Sequence, residues 1–299
     1  MKISLVHNPT SGGGQDTDEL VKLLTDAGHE VRHRSSKKNW EALLQDPGDL
    51  LVAAGGDGTV RKVALAAADH GVRVAILPIG TANNIGKTLE MLGDARELVE
   101  SWDSGAGRQR ALDLGEVTAR VSDQARFVEA IGAGAFAELI ARGKEVERDA
   151  KLLGRETDRA LHLLGELLRD ARALPWTISA GDDDLSGDYL GVEVLNMRFG
   201  GPNVPLAPEA DPSDGLLDLV LIRTEDRDGI LEYLDRRLHL ASGVMPPLQT
   251  VRADRFELVA PAGVRLHVDD SPWPDDEPIT EPMRLDVRCR ARAVSLLGA

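Results

Sequence analysis

The first 110 residues alternate short apolar runs with amphipathic stretches, a pattern that predicts strands followed by helices. The predicted strands cover residues 2–7, 30–34, 50–54 and 72–77. Leu20, Leu24 and Ala27 share one face of a first helix, for which Asp16 and Glu19 predict a capping box. Another helix is expected around residues 40–44. This order of strands and helices predicts an α/β fold with a doubly wound, Rossmann-like parallel sheet.

After residue 110 the pattern changes to strand-like stretches separated by turn signals. The predicted strands cover residues 111–117, 126–131, 176–179, 188–196, 216–222, 255–259 and 265–268. A helical insertion is expected over residues 135–172, with an apolar stripe of Leu161, Leu164, Leu167 and Leu168. We interpret the stripe as core, and a helical flap over an apolar acceptor site is the alternative. The chain is thus predicted to hold an α/β domain at 1–110 and a mostly-β domain at 111–289.

Glycine-bearing turns follow three of the first predicted strands. The candidate phosphate-binding residues in these turns are Asn8, Ser11, Gly12, Gly55, Gly56, Asp57, Gly58, Thr59, Thr81 and Asn83. Glycine allows close approach of the backbone to a ligand, and the free N–H groups at a helix start attract an anion. The carboxyl ends of parallel strands lie at one edge of a sheet, so the three turns are expected to converge. One such turn would indicate only a tight connection, whereas three together predict a nucleotide phosphate site.

Composition narrows the classes of function. The net charge of -15 over 299 residues argues against a general nucleic-acid-binding protein. A local basic patch stays open, since Arg32, Arg34, Lys37 and Lys38 cluster, although solvated helix faces commonly have this composition. No apolar run is long enough to span a membrane, and the single cysteine, Cys289, fits a reducing cytoplasm. We therefore expect a cytoplasmic protein, for which peripheral contact with the inner face of the membrane and a homodimer both stay open.

Six segments, taken in order, carry a family resemblance. They are NPTSGG (8–13), GGDGT (55–59), GTANN (80–84), IGAGAF (131–136), LNMRFGGPNVPLAPEADPSDGLLDL (195–219) and HVDDSPW (267–273). Together they resemble the diacylglycerol kinase and sphingosine kinase family of lipid kinases, whose catalytic fold is related to that of NAD kinases. The resemblance implies an N-terminal α/β domain, a C-terminal β-sandwich domain and ATP in the cleft between them. It also implies that a last strand, near residues 290–299, returns to the first domain.

The same resemblance implies roles for single residues. ATP would contact the glycine-bearing turns and Ser35. A structural Mg²⁺ would be held by the Asp214 carboxylate and the backbone carbonyls of Asp211 and Leu216. Asp269 would be the general base that accepts the proton of a lipid hydroxyl as its oxygen attacks the γ-phosphate of ATP. The implied acceptor is a diacylglycerol-like or sphingoid alcohol.

The chain departs from the family pattern at two places. The family's Asp-Gly-Glu is Asp269-Asp270-Ser271 here, which removes a carboxylate and places a side chain where glycine would allow a tight turn. The family's Asn-Asp is Asn83-Asn84. A missing charge could come from Asp275, Asp276 or Glu277, or the metal could have fewer protein ligands. Two alternatives follow: a catalytically silent nucleotide-binding regulatory protein, and a soluble small-molecule kinase of the NAD-kinase type. A Rossmann dehydrogenase is not expected, because no G-x-G-x-x-G opens the first helix.

Overall fold

The computed structural model describes residues 1–11, 16–103, 109–120, 123–150, 156–240 and 242–298. The chain forms two compact units. The first comprises Met1–Leu114, Pro212–Asp214 and Ala291–Ala299, and the second comprises Gly115–Asp211 and Gly215–Arg290. No helix in the described ranges is both long enough and apolar enough to cross a membrane.

Helices and strands alternate at first and then give way to a strand-rich region. The helices are α1 (Thr17–Asp26), α2 (Asp57–His70), α3 (Asn84–Thr88), α4 (Ala95–Asp103), α5 (Ala135–Ala150), α6 (Glu156–Asp170) and α7 (Arg227–Leu240). Short 3₁₀ helices cover Trp40–Gln45 and Thr224–Asp226. The first eight strands are β1 (Lys2–His7), β2 (Glu30–Ser35), β3 (Leu50–Gly55), β4 (Val74–Pro78), β5 (Gln109–Arg120), β6 (Asp123–Phe127), β7 (Ala130–Ala133) and β8 (Leu174–Ala180). The others are β9 (Asp183–Asp184), β10 (Gly187–Tyr189), β11 (Gly191–Leu195), β12 (Leu217–Ile222), β13 (Gln249–Ala253), β14 (Arg255–Ala260), β15 (Leu266–Val268), β16 (Ser271–Pro272) and β17 (Met283–Leu297).

The first unit is built on a parallel sheet in the order β17-β4-β3-β1-β2. All six residues of β3 are buried, as expected for a central strand covered on both faces. This confirms the predicted α/β class. The helix expected around residues 40–44 is a 3₁₀ helix. Asp16 does cap α1, but through the backbone N–H of Asp18 at 2.8 Å, one residue earlier than a capping box requires.

The second unit contains two antiparallel sheets. One has the order β10-β8-β14-β17 and also holds β5, β6 and β9, while the other has the order β13-β12-β11-β7-β15-β16. Leu217, Leu219 and Leu221 of β12 share one buried cluster with Phe256 and Leu258 of β14. Alternate side chains of the two sheets therefore meet in a common core, which confirms the predicted sandwich.

Helices cover the other face of the β12 sheet. Leu161, Leu164 and Leu168 of α6 are buried in one cluster with Val220 and Ile222. The leucine stripe is therefore core, as interpreted from the sequence. Leu167, the fourth member, is only partly buried against this cluster.

The structure divides two of the expected strands. Residues 126–131 are split between β6 and β7, and residues 188–196 are split between β10 and β11. Elements that were not expected include α4, α7, β9, β13 and β16. The division within 126–131 falls at Val128 and Glu129, whose N–H groups donate to a side chain, the Asp269 carboxylate, rather than to a neighbouring strand.

Candidate active site

The three glycine-bearing turns of the first unit lie against one another. The Gly56 N–H donates to the Ser11 hydroxyl at 3.0 Å, and the Ile79 N–H donates to the Gly55 carbonyl at 3.1 Å. A Cβ placed on Gly80 would lie 2.3 Å from the Gly56 Cα. The turns after β1, β3 and β4 thus converge as the sequence predicts, and Gly80 is required for the contact.

Asn83 shapes the third of these turns, the one that follows β4. Its Oδ1 accepts from the Gly80 N–H at 2.9 Å, and its Nδ2 donates to the carbonyls of Pro78 and Gly80 at 3.0 and 2.8 Å. Its backbone is left-handed, with φ 51°, a conformation that asparagine tolerates. Thr81 is exposed on the same turn. Contact of either residue with ATP stays a prediction.

Asp57 and Thr59 stand at the start of α2. The Asp57 Oδ1 accepts from the Ile85 N–H at 3.0 Å. Burial raises the pKa of Asp57, and the backbone N–H groups of Ile85 and Asn84 oppose this effect only in part. Thr59 is buried over Gly55, where a Cβ would lie 2.5 Å from the Thr59 hydroxyl. A buried acidic side chain therefore lies at the start of α2, beside the first backbone N–H groups of the helix.

The end of β2 brings a cation to the first turn. The Lys37 Nζ donates to the Thr10 hydroxyl at 2.6 Å, and that hydroxyl donates to the Asn8 Oδ1 at 3.0 Å. The Ser35 hydroxyl accepts from the Lys37 N–H at 3.3 Å. The sequence left open whether the cluster around Lys37 is a basic patch or solvated surface, and the contact of Lys37 with the turn was missed. Gly12 lies outside the described residues.

His7 connects β1, which precedes the first turn, with α1, which follows it. This buried side chain closes β1, and its Nδ1 lies 2.9 Å from the hydroxyl of Thr17 at the start of α1. Burial lowers the pKa of His7, with a smaller contribution from His33. A neutral ring at this position adds no charge to the turn.

Asp269 lies in the second unit, in the two-residue turn between β15 and β16. It is 5% exposed. Its Oδ1 accepts from the N–H groups of Glu129 at 2.7 Å, Ala130 at 3.2 Å and Val128 at 3.2 Å. The Asp269 N–H donates to the Ala130 carbonyl at 2.7 Å. The carboxylate is therefore fixed in position by consecutive backbone donors.

The turn between β15 and β16 forms without the glycine of the family motif. Its left-handed residue is Asp269, with φ 51°, and Asp270 is not among the described residues with positive φ. Asp270 is exposed and accepts a hydrogen bond from the Ser271 hydroxyl at 3.0 Å. The Asp270 side chain, which replaces the family's glycine, thus fits the turn without a left-handed backbone at Asp270.

A buried His-Glu contact lies next to Asp269 and was missed by sequence reasoning. The His267 Nδ1 lies 2.9 Å from the Asp269 carbonyl oxygen, and its Nε2 lies 2.9 Å from the Glu193 Oε2. Burial acts to lower the pKa of His267, but the Glu193 carboxylate and the Asp269 carbonyl outweigh it, and the pKa is raised. The one signal in the sequence was an acid, Glu193, inside the apolar run of a predicted strand.

The predicted structural metal ligands lie in the segment between β11 and β12. Asp211 and Asp214 are exposed, and Leu216 is partly buried. The described residues hold no cluster of three or more His, Cys, Asp or Glu suited to a metal. A site made of one carboxylate and two backbone carbonyls would not form such a cluster. Asp275, Asp276 and Glu277 are exposed, and their part in metal binding stays a prediction.

The second unit also contains a cavity of about 340 Å³. Its apolar lining includes Ala135, Leu167, Leu174, Trp176, Tyr189 and Val264. The charged residues that line it are Glu138, Arg142, Asp170, Arg172 and Arg265, of which Arg265 pairs with Glu138 at 3.4 Å. Ligand pockets of proteins are typically of this size and mainly apolar.

An α/β unit with converging glycine turns and a β-sandwich unit with a fixed aspartate define a class of phosphotransferase, and comparison with known proteins agrees. Residues 2–117 match the family described as the diacylglycerol kinase catalytic domain. A protein named probable lipid kinase YegS-like, from Yersinia enterocolitica, is 30% identical over 237 residues, which are 74% of this chain and 75% of that protein. The chain belongs to the diacylglycerol kinase family of lipid kinases.

Two further comparisons extend the match along the chain. A protein of the same name from Pseudomonas aeruginosa is 29% identical over 282 residues, which are 91% of this chain and 88% of that protein. A crystal structure of a diacylglycerol kinase from Bacillus anthracis matches with a TM-score of 0.70 at 18% identity, and covers 100% of this chain and 97% of its own. The structural likeness shows the fold of the whole chain. The kinase family implies ATP as the phosphate donor.

Proposed function

We propose that this lipid kinase transfers the γ-phosphate of ATP to a hydroxyl group of a lipid in a Mg²⁺-dependent reaction, with Asp269 as general base. The observation that carries the proposal is the contact of the three glycine-bearing turns, with Gly80 against Gly56 and Ser11 bonded to Gly56. Backbone N–H groups at such turns suit phosphate oxygens. The reaction would take place in the cytoplasm, where ATP is available.

The residues of the first unit supply the phosphate site. The turns would bind the phosphates through backbone groups of Gly55 to Thr59, with Thr81 and Ser35 as further contacts. Lys37 is a cation on an exposed side chain, bonded to Thr10, and would add positive charge beside the turn at Asn8. In the segment between β11 and β12, Asp214 and the backbone carbonyls of Asp211 and Leu216 offer hard oxygen ligands that fit a structural Mg²⁺. A separate catalytic Mg²⁺ would offset the negative charge of the phosphates.

Asp269 would handle the proton of the acceptor. Its carboxylate accepts the proton of the lipid hydroxyl while that oxygen forms a bond to the γ-phosphorus. The bond between the γ-phosphorus and the bridging oxygen breaks at the same time, so the products are a lipid phosphate and ADP. The proton then leaves Asp269 for solvent. Because phosphoryl transfer depends mainly on positioning, a carboxylate fixed by backbone donors suits this role.

The cavity of the second unit supports an acceptor with an apolar part. We propose that it takes an acyl or alkyl chain of the acceptor, since its wall is mostly hydrophobic and its volume of about 340 Å³ suits part of a lipid. A diacylglycerol-like or sphingoid alcohol fits this chemistry.

The function is tested by replacing each aspartate of the turn separately. Asp269→Asn should lower kcat at least about 100-fold, since general-base catalysis commonly contributes that much, and should leave the affinity for ATP within about twofold. Asp270→Asn, a change of equal size one residue away on an exposed side chain, should keep kcat within about threefold. The measurement is transfer of labelled γ-phosphate to a panel of lipid alcohols in mixed micelles and to NAD.

Each outcome of that assay separates the candidate functions. Lipid labelling that disappears only in Asp269→Asn supports the proposal. Labelling of NAD instead would move the protein to the soluble-kinase class. ATP binding without transfer to any acceptor would favour a silent nucleotide-binding protein, and full activity of Asp269→Asn would remove it as the base.

A second pair of variants tests the acceptor cavity. Leu167 lines the cavity, whereas Leu163, one turn earlier on α6 and also partly buried, does not. Leu167→Trp should raise the KM for the lipid about tenfold or more by filling the cavity, with the KM for ATP unchanged. Leu163→Trp should leave both constants within about threefold. Equal effects of the two substitutions would show that the cavity does not hold the acceptor.

A further inference from the structure

The buried contact of His267 with Glu193 spans three neighbouring strands. Glu193 of β11 is paired with Gly132 of β7, and Gly132 is paired with His267 of β15. Glu193 is 1% exposed and His267 is 4% exposed. The two outer strands are about 10 Å apart, so the two side chains can meet only above the middle strand.

Gly132 provides the space for this meeting. A Cβ at residue 132 would lie 2.0 Å from the Glu193 Oε2. Glycine in the middle of a strand weakens it and often marks a close approach of another group. Here the approaching group is the Glu193 carboxylate, which lies over the backbone of β7 to reach His267. This assigns a physical role to the second residue of the IGAGAF segment.

The partners of His267 fix where its protons are. A carbonyl oxygen can only accept, so the ring Nδ1, 2.9 Å from the Asp269 carbonyl, carries a hydrogen and donates it. The Nε2, 2.9 Å from the Glu193 carboxylate, shares a second proton with it. The Glu193 side chain thus orients the ring, and the ring holds the backbone of the turn at Asp269.

We propose that Glu193 and His267 are positioning residues that hold the Asp269 backbone and thereby place its carboxylate for proton transfer. The inference rests on the proposed function, in which Asp269 is the general base. Neither Glu193 nor His267 need touch the substrates. The pair acts on the carbonyl of Asp269 while the N–H groups of Val128, Glu129 and Ala130 act on its carboxylate. A misplacement of about 1 Å at such a group can cost on the order of 100-fold in rate.

Two amide variants of His267 separate its two hydrogen bonds. The amide nitrogen of Asn lies near the Nδ1 position, so His267→Asn keeps a donor to the Asp269 carbonyl and loses the contact with Glu193. His267→Gln places its amide nitrogen near the Nε2 position and loses the Asp269 carbonyl instead. We expect kcat to fall about 10- to 100-fold in His267→Gln and less than about threefold in His267→Asn. The KM for ATP should stay within about twofold in both.

Melting temperatures separate positioning from general stability. Both variants should melt at lower temperature than the wild type, because each leaves one buried acceptor without its donor. If kcat follows the melting temperature in the two variants, or falls equally in both, the pair is merely structural and the inference is overturned.

A double-mutant cycle distinguishes failure of the inference from failure of the proposed function. If His267 acts through Asp269, His267→Gln should lower kcat no further in the Asp269→Asn background. An equal loss in both backgrounds would overturn the positioning role. Full activity of Asp269→Asn alone would instead overturn the general base, and wild-type kcat in His267→Gln beside an inactive Asp269→Asn would overturn only the inference.

A measurement on the wild-type protein keeps the inference testable if a variant does not fold. In protein labelled with ¹⁵N at histidine, the His267 ring should show a protonated Nδ1 whose hydrogen exchanges slowly with water, as expected for a buried donor. Assignment would use through-space contacts with the buried neighbours of the ring. An unprotonated Nδ1 would contradict the bond to the Asp269 carbonyl and overturn the proposal.

Discussion

Gly80 and Gly56 form a contact between two backbones with no side chain between them. The missing Cβ atoms allow the turns after β3 and β4 to touch, and the Asn83 side chain holds the second turn in that shape. Because the neighbour of Gly80 is backbone, no flexible side chain can move aside to admit a larger residue. The shape of the candidate phosphate site therefore depends on glycine at residue 80.

Gly80→Ala should disrupt the candidate phosphate site. Its Cβ would lie 2.3 Å from the Gly56 Cα, so one turn must move, and overpacking of this kind costs about 1–3 kcal/mol of stability. We expect the Kd for ATP to rise at least about tenfold, measured by titration calorimetry.

Gly143→Ala is the matched control for that substitution. Gly143 lies within α5, and a Cβ there would meet nothing within 4 Å. Replacement of this helical glycine should raise stability by about 0.5–1 kcal/mol and leave ATP binding unchanged. Wild-type ATP affinity in Gly80→Ala would contradict our assignment of the turns.

At the scale of single residues, the sequence predicts the glycine-bearing turns well and the buried contact of Glu193 with His267 poorly. Glycines that follow an apolar run leave a local signature, so Gly55, Gly56 and Gly80 can be found from the sequence. The contact of Glu193 with His267 depends on the register of three strands, which joins residues 74 positions apart. No local pattern encodes that register.

At the scale of elements, tertiary contacts decide where local pattern fails. The run from Arg126 to Ile131 has the composition of one strand. The Asp269 carboxylate, about 140 residues further along, takes the N–H groups of Val128 and Glu129 and ends the strand pairing there. Such a break requires knowledge of the fold, so the sequence could not show it.

Helix α7 shows the opposite effect, because tertiary packing supports an element here where it ended one in the previous case. Its sequence, RDGILEYLDRRLHL, carries many charges and only a narrow apolar face. Ile230, Tyr233 and Leu234 are nevertheless buried in the cluster that also holds the α6 stripe. The stripe of α6 was predicted because its leucines recur with helical spacing, and the narrower face of α7 gave no such signal.

For the whole molecule, the division into units does not follow the order of the chain. Pro212–Asp214 belongs to the first unit, where the Asp113 N–H donates to the Pro212 carbonyl at 2.7 Å. Strand β17 contributes to both units, with the change at residues 290 and 291. Sequence patterns predict where the strand-rich half begins, but three residues returning to the first unit leave no mark in composition.

Replacing each of two leucines of β17 by alanine should destabilise a different unit. Leu285 is 2% exposed in the second unit, and Leu296 is 1% exposed in the first, where it pairs with Val74 of β4. Each Leu→Ala change should cost about 2–5 kcal/mol. Hydrogen exchange should show lost protection in β14 and β8 for Leu285→Ala, and in β4 and β3 for Leu296→Ala.

The two variants serve as controls for each other, because residue type, burial and strand are the same. Loss of protection spread evenly over both units in both variants would show that the units do not unfold separately. Loss confined to the wrong unit would contradict the division of β17.

The glycine beneath Glu193 has a consequence for the history of this sequence. Any residue with a Cβ at position 132 would collide with the glutamate, and a shorter residue at 193 would leave His267 without an acid to face. A substitution at either position alone would therefore disrupt the contact between Glu193 and His267. Sequences descended from this one should therefore either keep Gly132, Glu193 and His267 or replace all three. The three positions are thus expected to change together during evolution.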